Sequence, residues 1–321
     1  MNPVKDAAPL VSVVLPVHNG AKFLRQSIDS CLKQTHRDLE LIVVDDASRD
    51  ATPKVIEAVK DPRLVHLRNQ RNLGLPATLN VGFSRARGEY LSWTSYDNWY
   101  DPEAMARMLA FLVAERAAFV CSDFFVVSEE GAGAERLLQV PDEHDFAQEN
   151  RIGPCFLYHR SVKNAVGDYD EEAQLAEDYD YWIRVAKHCS IHRLNEPLYH
   201  YRRHDDSLTA TAARSHAVEI AGALVRIKNG LTTPATEAER LGTALSEMRY
   251  RAAGLPVRAA GRLMRVLSGG RLEAAREFKF KGARADCLAA FGDYHERDIS
   301  LAEAASKLTV LFTEAESVSQ P

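Results

Sequence analysis

Short apolar runs alternate with amphipathic segments over the first 127 residues of the chain. Five apolar runs predict strands, at residues 11–17, 39–44, 64–67, 88–93 and 118–127. Between them, residues 21–33, a stretch ending near 59, and residues 75–85 and 102–116 place apolar residues at helical spacing. Because alternating strands and helices build a mostly parallel sheet covered on both faces, the pattern predicts an α/β fold.

Polar or acidic residues follow three of the predicted strands, at His18-Asn19, Asp45-Asp46 and Thr94–Asn98. Ligands of open α/β sheets bind beyond the carboxyl ends of the strands. Carboxylates at two neighbouring strand ends suit the polar edge of a nucleotide and a divalent cation, because Mg²⁺ prefers oxygen ligands. Each acidic pair alone also fits a helix cap or a turn. Their coincidence favours a nucleotide and metal site, with Arg202 or His204 completing a cage around a diphosphate.

The usual phosphate-binding motifs are missing from the chain. No G-x-G-x-x-G follows the first strand, and no glycine-rich loop ends in Lys-Ser or Lys-Thr. A dinucleotide oxidoreductase and a P-loop enzyme are therefore disfavoured. A nucleotidyltransferase would have a similar sheet and a similar use of a metal ion. It needs a glycine-rich basic loop after the first strand, however, and Asn19–Lys22 is a poor substitute for one.

Composition indicates a globular protein with a sizeable core. The 321 residues correspond to about two domains, and 46% are hydrophobic and 26% charged. The net charge of −5 does not point to nucleic acid as a partner. Five scattered cysteines without a Cys-x-x-Cys pair disfavour a disulfide framework or a zinc site. With neither a signal-peptide pattern nor an 18-residue apolar run, we expect a cytoplasmic protein.

Beyond residue 127 the organisation changes. Residues 128–175 have weak periodicity, Glu177–Val185 predicts a helix that opens with acids, and the chain is predicted helical from about residue 213. We therefore predict two domains, 1–211 and 212–321. Residues 249–284 hold ten Lys and Arg against two acids, which predicts a contact with the membrane surface, a partner or a second copy. A solvated basic face is the alternative.

A resemblance to a known family rests on groups of residues that occur in a fixed order. They are Pro16–Asn19, Ser30 with Gln34, Val44–Asp50, Asn72–Gly74, Asn80, Gly88–Tyr90, Trp93–Asn98 with Pro102, Gly167–Asp170, Glu177–Trp182 and Tyr201–His204 with Ser207–Thr209. Together they resemble family 2 inverting glycosyltransferases with the GT-A fold, a Rossmann-like fold. The resemblance covers roughly residues 10–211; the remainder, predicted as an α-helical region, matches no family that we can name.

The resemblance implies a sugar donor attached to a nucleoside diphosphate, most often UDP. Asp46 would bind the base or ribose, and the other donor-binding residues would be Pro16, Val17, Asn19, Asn72 and Ser95. Asp97 would hold a divalent metal, Mn²⁺ or Mg²⁺, and His204 would bind the metal or the diphosphate. Asp178 would be the general base. Supporting roles would fall to Glu177, Arg202 and Asn98.

One departure from the family concerns the Asp-x-Asp metal motif, which is Ser95-Tyr96-Asp97 here. The missing first acid leaves more of the coordination to phosphate, water and Asn98. The leading hypothesis is a hexosyl- or N-acetylhexosaminyltransferase acting on a glycan or lipid-linked acceptor of the cell surface, at the inner face of the membrane. The alternative is a catalytically silent sugar-nucleotide-binding protein with a helical interaction tail.

Overall fold

The computed structural model describes residues 9–131, 134–205, 207–208, 216–252, 284–291 and 299–317. Contacts divide the chain into two compact units. The first unit runs to Asp205 and leaves out residues 172–176, which cluster with the described residues beyond Asp205 in the second unit. The boundary predicted at residue 211 lies outside the described residues.

Strands and helices alternate through the first unit. Its strands are β1 (Val11–Val17), β2 (Leu39–Asp45), β3 (Leu64–Arg68), β4 (Tyr90–Trp93), β5 (Trp99–Tyr100), β6 (Phe119–Val127), β7 (Ala134–Leu138), β8 (Phe156–His159) and β9 (His192–Arg202). Its helices are α1 (Leu24–Leu32), α2 (Thr52–Glu57), α3 (Leu75–Arg85), α4 (Ala104–Glu115), α5 (Arg160–Val166) and α6 (Glu177–Ala186). The five strands predicted from the sequence correspond to β1 to β4 and β6.

The nine strands form one sheet, in the order β3-β2-β1-β4-β8-β6-β9-β5, with β7 also paired to β6. Strands β3, β2, β1 and β4 are parallel, as predicted, and so are β6 and β9, whereas β8 is antiparallel to both its neighbours. Val17 pairs with Asp45, and Val14 pairs with Trp93. This register brings the carboxyl ends of β1, β2 and β4 to one edge of the sheet.

Apolar cores cover both faces of the sheet. All seven residues of β1 and all seven of β2 are buried, as expected for strands between two layers of helices. On one face, α1, α2 and α4 bury residues such as Ile28, Ile56 and Met108; on the other, α3, α5 and α6 bury residues such as Phe83 and Trp182. The site residues after the strands are therefore supported by a rigid, doubly covered sheet.

The second unit is helical in its described part, as predicted. It contains α7 (Ala217–Lys228), α8 (Pro234–Ala252), a helix α9 over residues 284–291 and α10 (Leu301–Ser317). Its own core joins side chains from these four helices, among them Leu224, Leu241, Phe291 and Leu308. Arg226 and Glu237 form a buried ion pair at 2.7 Å.

The interaction face predicted at residues 249–284 falls mostly on residues 253–283, which lie outside the described residues. Among the helices that the structure describes, none has the length and apolar character needed to cross a membrane.

Candidate functional site

The turn after β1 is hydrogen-bonded to the end of β2. The backbone N–H of Asp46 donates to the carbonyl oxygen of Val17 at 2.8 Å, and His18 Nδ1 lies 2.7 Å from the carbonyl oxygen of Asp46. Asn19 has a φ of 53°, a left-handed conformation that Asn tolerates. Its N–H donates to the Ser48 hydroxyl at 2.9 Å. These contacts bring the predicted donor residues Val17, Asn19 and Asp46 together, with Pro16 buried just before them.

The carboxylate of Asp46 holds the loop that precedes α3. It accepts hydrogen bonds from Asn69 Nδ2 at 2.8 Å, from Leu73 N at 2.9 and 3.1 Å, and from Gly74 N at 3.0 Å. Asn72 Oδ1 also accepts from Gly74 N, at 2.9 Å. A carboxylate offers about four acceptor positions, and the side chain is buried. Asp46 therefore organises a loop that carries a second predicted donor residue, Asn72.

The segment after β4 contacts the turn after β1 and helix α1. Ser95 accepts a hydrogen bond at its carbonyl oxygen from the Ser27 hydroxyl, at 2.9 Å. A Cβ atom added at Gly20 would lie 2.5 Å from the ring of Tyr96. Only glycine fits this approach without displacing the ring. Tyr96, the residue that precedes Asp97, is thus packed under the turn that carries Asn19.

Asp97 and His204 form a buried pair. His204 Nε2 lies 2.9 Å from Asp97 Oδ2, and each residue is only 9% exposed. Burial raises the pKa of Asp97, although the His204 contact and the Arg202 charge act in the opposite direction. The ring of Phe23 lies 5.0 Å from the His204 ring and closes one side of the pair.

Arg202 ties the Asp97 segment to the end of β9. Its Nε donates to the carbonyl oxygen of Asp97 at 3.0 Å, and its backbone N–H donates to Asn98 Oδ1 at 2.8 Å. Its remaining guanidinium nitrogens donate to Gln26 Oε1 and to the carbonyl oxygen of Glu129. The guanidinium also lies over the rings of Phe23, at 4.4 Å, and Trp99, at 4.8 Å. Arg202 and Asn98 thus hold the backbone segment that carries Asp97 against the end of β9.

Asp97 and His204 offer two of the ligands that a divalent cation needs, and a bound ligand would have to supply the others. Asp97 Oδ1 is buried and accepts no hydrogen bond from any described residue, which leaves one carboxylate oxygen ready for a positive charge. Within the described part of the chain, however, no group of three or more His, Cys, Asp or Glu side chains could hold a metal ion. The protein therefore offers a partial donor set of one carboxylate and one imidazole.

Helix α6 begins with the third group of predicted residues, Glu177 and Asp178. Asp178 Oδ1 accepts from the N–H of Tyr179 at 2.7 Å, and Oδ2 accepts from Asn150 Nδ2 at 2.9 Å. Burial raises the pKa of Asp178, and these two hydrogen bonds offset the rise only in part. A carboxylate with a raised pKa is a stronger base. Glu177 is buried beside it.

A chain of aromatic contacts connects α6 to the end of β4. The ring of Tyr181 stacks on that of Tyr169 at 4.1 Å. Tyr169 in turn accepts a hydrogen bond at its hydroxyl from Trp93 Nε1, at 3.0 Å. Because Trp93 is the last residue of β4, the helix that carries Asp178 is packed beside the strand that leads into the Asp97 segment.

The structure thus sorts the predicted residues into three groups. The first is Pro16, Val17, Asn19, Asp46 and Asn72; the second is Ser95, Asp97, Asn98, Arg202 and His204; the third is Glu177 and Asp178. Sequence reasoning missed Asn150 and the Phe23 and Trp99 rings. Trp99 directly follows Asn98 and could have been noticed, whereas Asn150 lies in a segment without a pattern.

Comparison with known proteins gives a consistent result. The family model of glycosyl transferase family 2 matches residues 12–175. An uncharacterized glycosyltransferase from Rickettsia typhi is 29% identical over 219 residues, which is 64% of this chain and 67% of the relative. The putative teichuronic acid biosynthesis glycosyltransferase TuaG from Bacillus subtilis is 24% identical over 207 residues, or 63% of this chain and 82% of TuaG.

Solved structures show the same fold. The complex of S. aureus TarS 1-349 with UDP-GlcNAc matches with a TM-score of 0.56 and 18% identity, over 96% of this chain and 90% of TarS 1-349. The mannosyltransferase PcManGT from Pyrobaculum calidifontis, in complex with GDP-Man and Mn²⁺, matches with a TM-score of 0.56 and 18% identity, over 91% of this chain and 90% of its own. The Rossmann-like GT-A fold with C-terminal helices, predicted from the sequence, is confirmed.

Proposed function

The chain belongs to glycosyl transferase family 2, and on that premise we propose that it is an inverting enzyme that moves a sugar from a UDP-sugar to a hydroxyl acceptor. The observation that carries the proposal is the surroundings of Asp178. It is a carboxylate with a raised pKa, held by neutral donors, on a helix packed beside the strand that leads to Asp97.

The donor nucleotide would bind at the first group of residues. The Pro16–Asn19 turn and the Asn69–Gly74 loop are hydrogen-bonded through Asp46, so they form one continuous surface beyond β1 and β2. Open α/β sheets bind ligands at this position. Asp46 would therefore contribute to binding of the base or ribose partly by holding these two segments in place. Binding of UDP-GlcNAc by the similar TarS fold supports a uridine nucleotide.

The diphosphate would lie by the second group, where Asp97 and His204 would hold a divalent cation. When bound, the cation would act as a Lewis acid that stabilises the charge of the departing diphosphate. The free Oδ1 of Asp97 supports this assignment, as does Mn²⁺ in the PcManGT complex. Arg202 would keep Asp97 and Asn98 in place, since its guanidinium donors are engaged by protein oxygens.

Asp178 would take the proton of the acceptor hydroxyl. As the acceptor oxygen forms its bond to the anomeric carbon, the bond from that carbon to the β-phosphate oxygen breaks and UDP leaves. Attack opposite to the leaving group inverts the anomeric configuration. General-base assistance of this kind contributes about 10²–10⁴ in rate. Glu177 would help to place α6 or to raise the basicity of its neighbour.

We infer a hexosyl- or N-acetylhexosaminyl donor and a glycan or lipid-linked acceptor of the cell surface. The likeness to TuaG, a putative teichuronic acid biosynthesis enzyme, supports a role in polysaccharide synthesis. The five cysteines are free thiols, which fits a reducing compartment such as the cytoplasm. Contact with the inner membrane face, or with a second copy through the C-terminal helices, is part of the same proposal.

A panel of UDP- and GDP-sugars, each with Mn²⁺ or with EDTA, tests the proposal. A donor that binds the native protein raises its melting temperature, and a transferase also releases the nucleotide slowly to water. We expect one or a few UDP-sugars to do both in Mn²⁺. Binding without release would support a silent sugar-nucleotide-binding protein. Absence of both effects for every UDP-sugar would overturn the proposed donor class.

A further inference from the structure

The loop between β7 and β8 is attached to the start of α6 at two points. Asn150 Nδ2 donates to Asp178 Oδ2 at 2.9 Å. Four residues earlier in the loop, the carbonyl oxygen of Phe146 accepts a hydrogen bond from the Tyr179 hydroxyl, at 2.5 Å. One attachment therefore reaches the carboxylate itself, and the other reaches only the side chain of the next residue.

The amide of Asn150 has its orientation set by its second contact. The N–H of Ile152 donates to Asn150 Oδ1 at 3.4 Å, and Ile152 is completely buried. Because the amide oxygen accepts from this backbone N–H, the NH₂ group is the end that faces Asp178. The contact with the loop backbone thus determines which end of the Asn150 amide faces the carboxylate.

A neutral donor suits this position better than a cation. A Lys or Arg beside Asp178 would favour the ionised carboxylate and reduce its basicity. Oδ1 accepts from the Tyr179 N–H and Oδ2 accepts from Asn150. Because each oxygen has two lone pairs, these two bonds leave acceptor capacity for an incoming hydroxyl. Glu177, the preceding residue, is also acidic, and burial raises the pKa of Tyr169, as do the charges of Asp178 and Glu177.

We propose that Asn150 is a positioning residue for sugar transfer, because its amide fixes the orientation of the Asp178 carboxylate toward the acceptor without supplying a counter-charge. The inference rests on the proposed function, in which Asp178 takes the acceptor proton. It assigns a role to a loop that the sequence motifs of the family resemblance do not include.

Carbon-13 NMR of the side-chain carboxyl groups, in protein labelled at aspartate, follows the titration of Asp178 in the ligand-free chain. The Asp178→Asn variant identifies the signal. Asn150→Asp keeps an oxygen for the Ile152 N–H but replaces the donor with an acidic group, and Asn150→Ala removes both contacts. The matched control, Tyr179→Phe, removes the hydrogen bond to the Phe146 carbonyl and leaves the Asn150 contact intact.

We expect Asp178 to titrate at higher pH in Asn150→Ala, since the lost donor favoured the ionised form, at still higher pH in Asn150→Asp, where the new carboxylate adds like-charge repulsion, and at the parental pH in Tyr179→Phe. With UDP-GlcNAc, Mn²⁺ and water as the acceptor, kcat should fall about ten- to a hundredfold in Asn150→Ala with KM unchanged. An unchanged Asp178 titration in Asn150→Ala would overturn the inference. An equal shift in Tyr179→Phe would also overturn it, because the loop as a whole would then be responsible.

The proposed function and the role of Asn150 are overturned by different outcomes. If Asp178→Asn releases UDP at the parental rate, Asp178 is not the base, whatever the Asn150 variants do to its titration. If Asp178→Asn is inactive while Asn150→Ala keeps the parental titration, only the role of Asn150 is wrong.

Discussion

His204 Nε2 lies 2.9 Å from Asp97 Oδ2, across 107 positions of the sequence. The contact joins the segment after β9 to the segment after β4. Both side chains are buried, and Asp97 keeps its other oxygen free of hydrogen bonds to described residues. The two proposed metal ligands therefore lie side by side, and a bound cation would replace the hydrogen bond between them.

Substitution of Asp97 by Asn should weaken Mn²⁺ binding. The variant keeps the shape of the side chain but removes the negative charge that the cation would meet, and we expect a loss of about tenfold or more, equivalent to about 1.4 kcal/mol. Free Mn²⁺ measured by electron paramagnetic resonance, in the presence of UDP, reports the affinity. Asp29→Asn, at a partly buried position of α1 where the carboxylate pairs with Arg25 and Lys33, is the control. Equal Mn²⁺ affinity in Asp97→Asn and the parent would remove Asp97 from the metal site.

Substitution of Asp46 by Asn should destabilise the protein as well as weaken UDP binding. The amide replaces one acceptor oxygen with a donor that faces the N–H groups of the Asn69–Gly74 loop. We expect the free energy of unfolding to fall by about 1–3 kcal/mol, measured by urea unfolding. Asn72→Ala, which removes one contact in the same loop, should have a smaller effect. Unchanged stability with lost UDP binding would mean that Asp46 serves the nucleotide alone.

The stability of Asp178→Asn relative to the parent should depend on pH. Because the pKa of Asp178 is raised by burial in the folded state, its protonated form favours folding, and that stabilisation is lost as pH rises through the folded-state pKa. Asn does not ionise, so the variant does not lose this stabilisation as the pH rises. Urea unfolding should therefore show the variant as the more stable protein at pH 8, with the difference vanishing below the unfolded pKa of about 3.9. A stability difference between the variant and the parent that does not change with pH contradicts a raised pKa.

The parallel half of the sheet could be predicted because its strands are continuous apolar runs, such as Val11–Val17 and Leu39–Asp45, that are buried on both faces. Strand β9 was missed. Its sequence includes Asn195, Glu196 and Pro197, it is only partly buried, and its pairing with β6 shifts register around Asp123. Partial burial and an irregular register remove the periodicity that sequence reasoning depends on.

The candidate site, like the sheet, could be predicted from the sequence only in part. Asp97, His204 and Asp178 carry chemistry in their side chains, so their residue types drew attention. The partners of Asp46 are mostly backbone N–H groups, of Leu73 and Gly74. Because every residue except proline has a backbone N–H, the residue types do not show which of these groups donate. The contact of Asn150 depends on how an irregular loop folds back on α6, which only tertiary packing determines.

The rate at which Asp178→Asn releases nucleotide tests the central claim most directly. With Mn²⁺ and the UDP-sugar that the thermal-shift panel selects, we predict a rate lower than that of the parent by about 10²–10⁴, as expected for removal of a general base. UDP affinity should stay at the parental value, because the first two groups of residues remain intact. Nucleotide release by Asp178→Asn at the parental rate would contradict the assignment of Asp178 as the base of an inverting transfer.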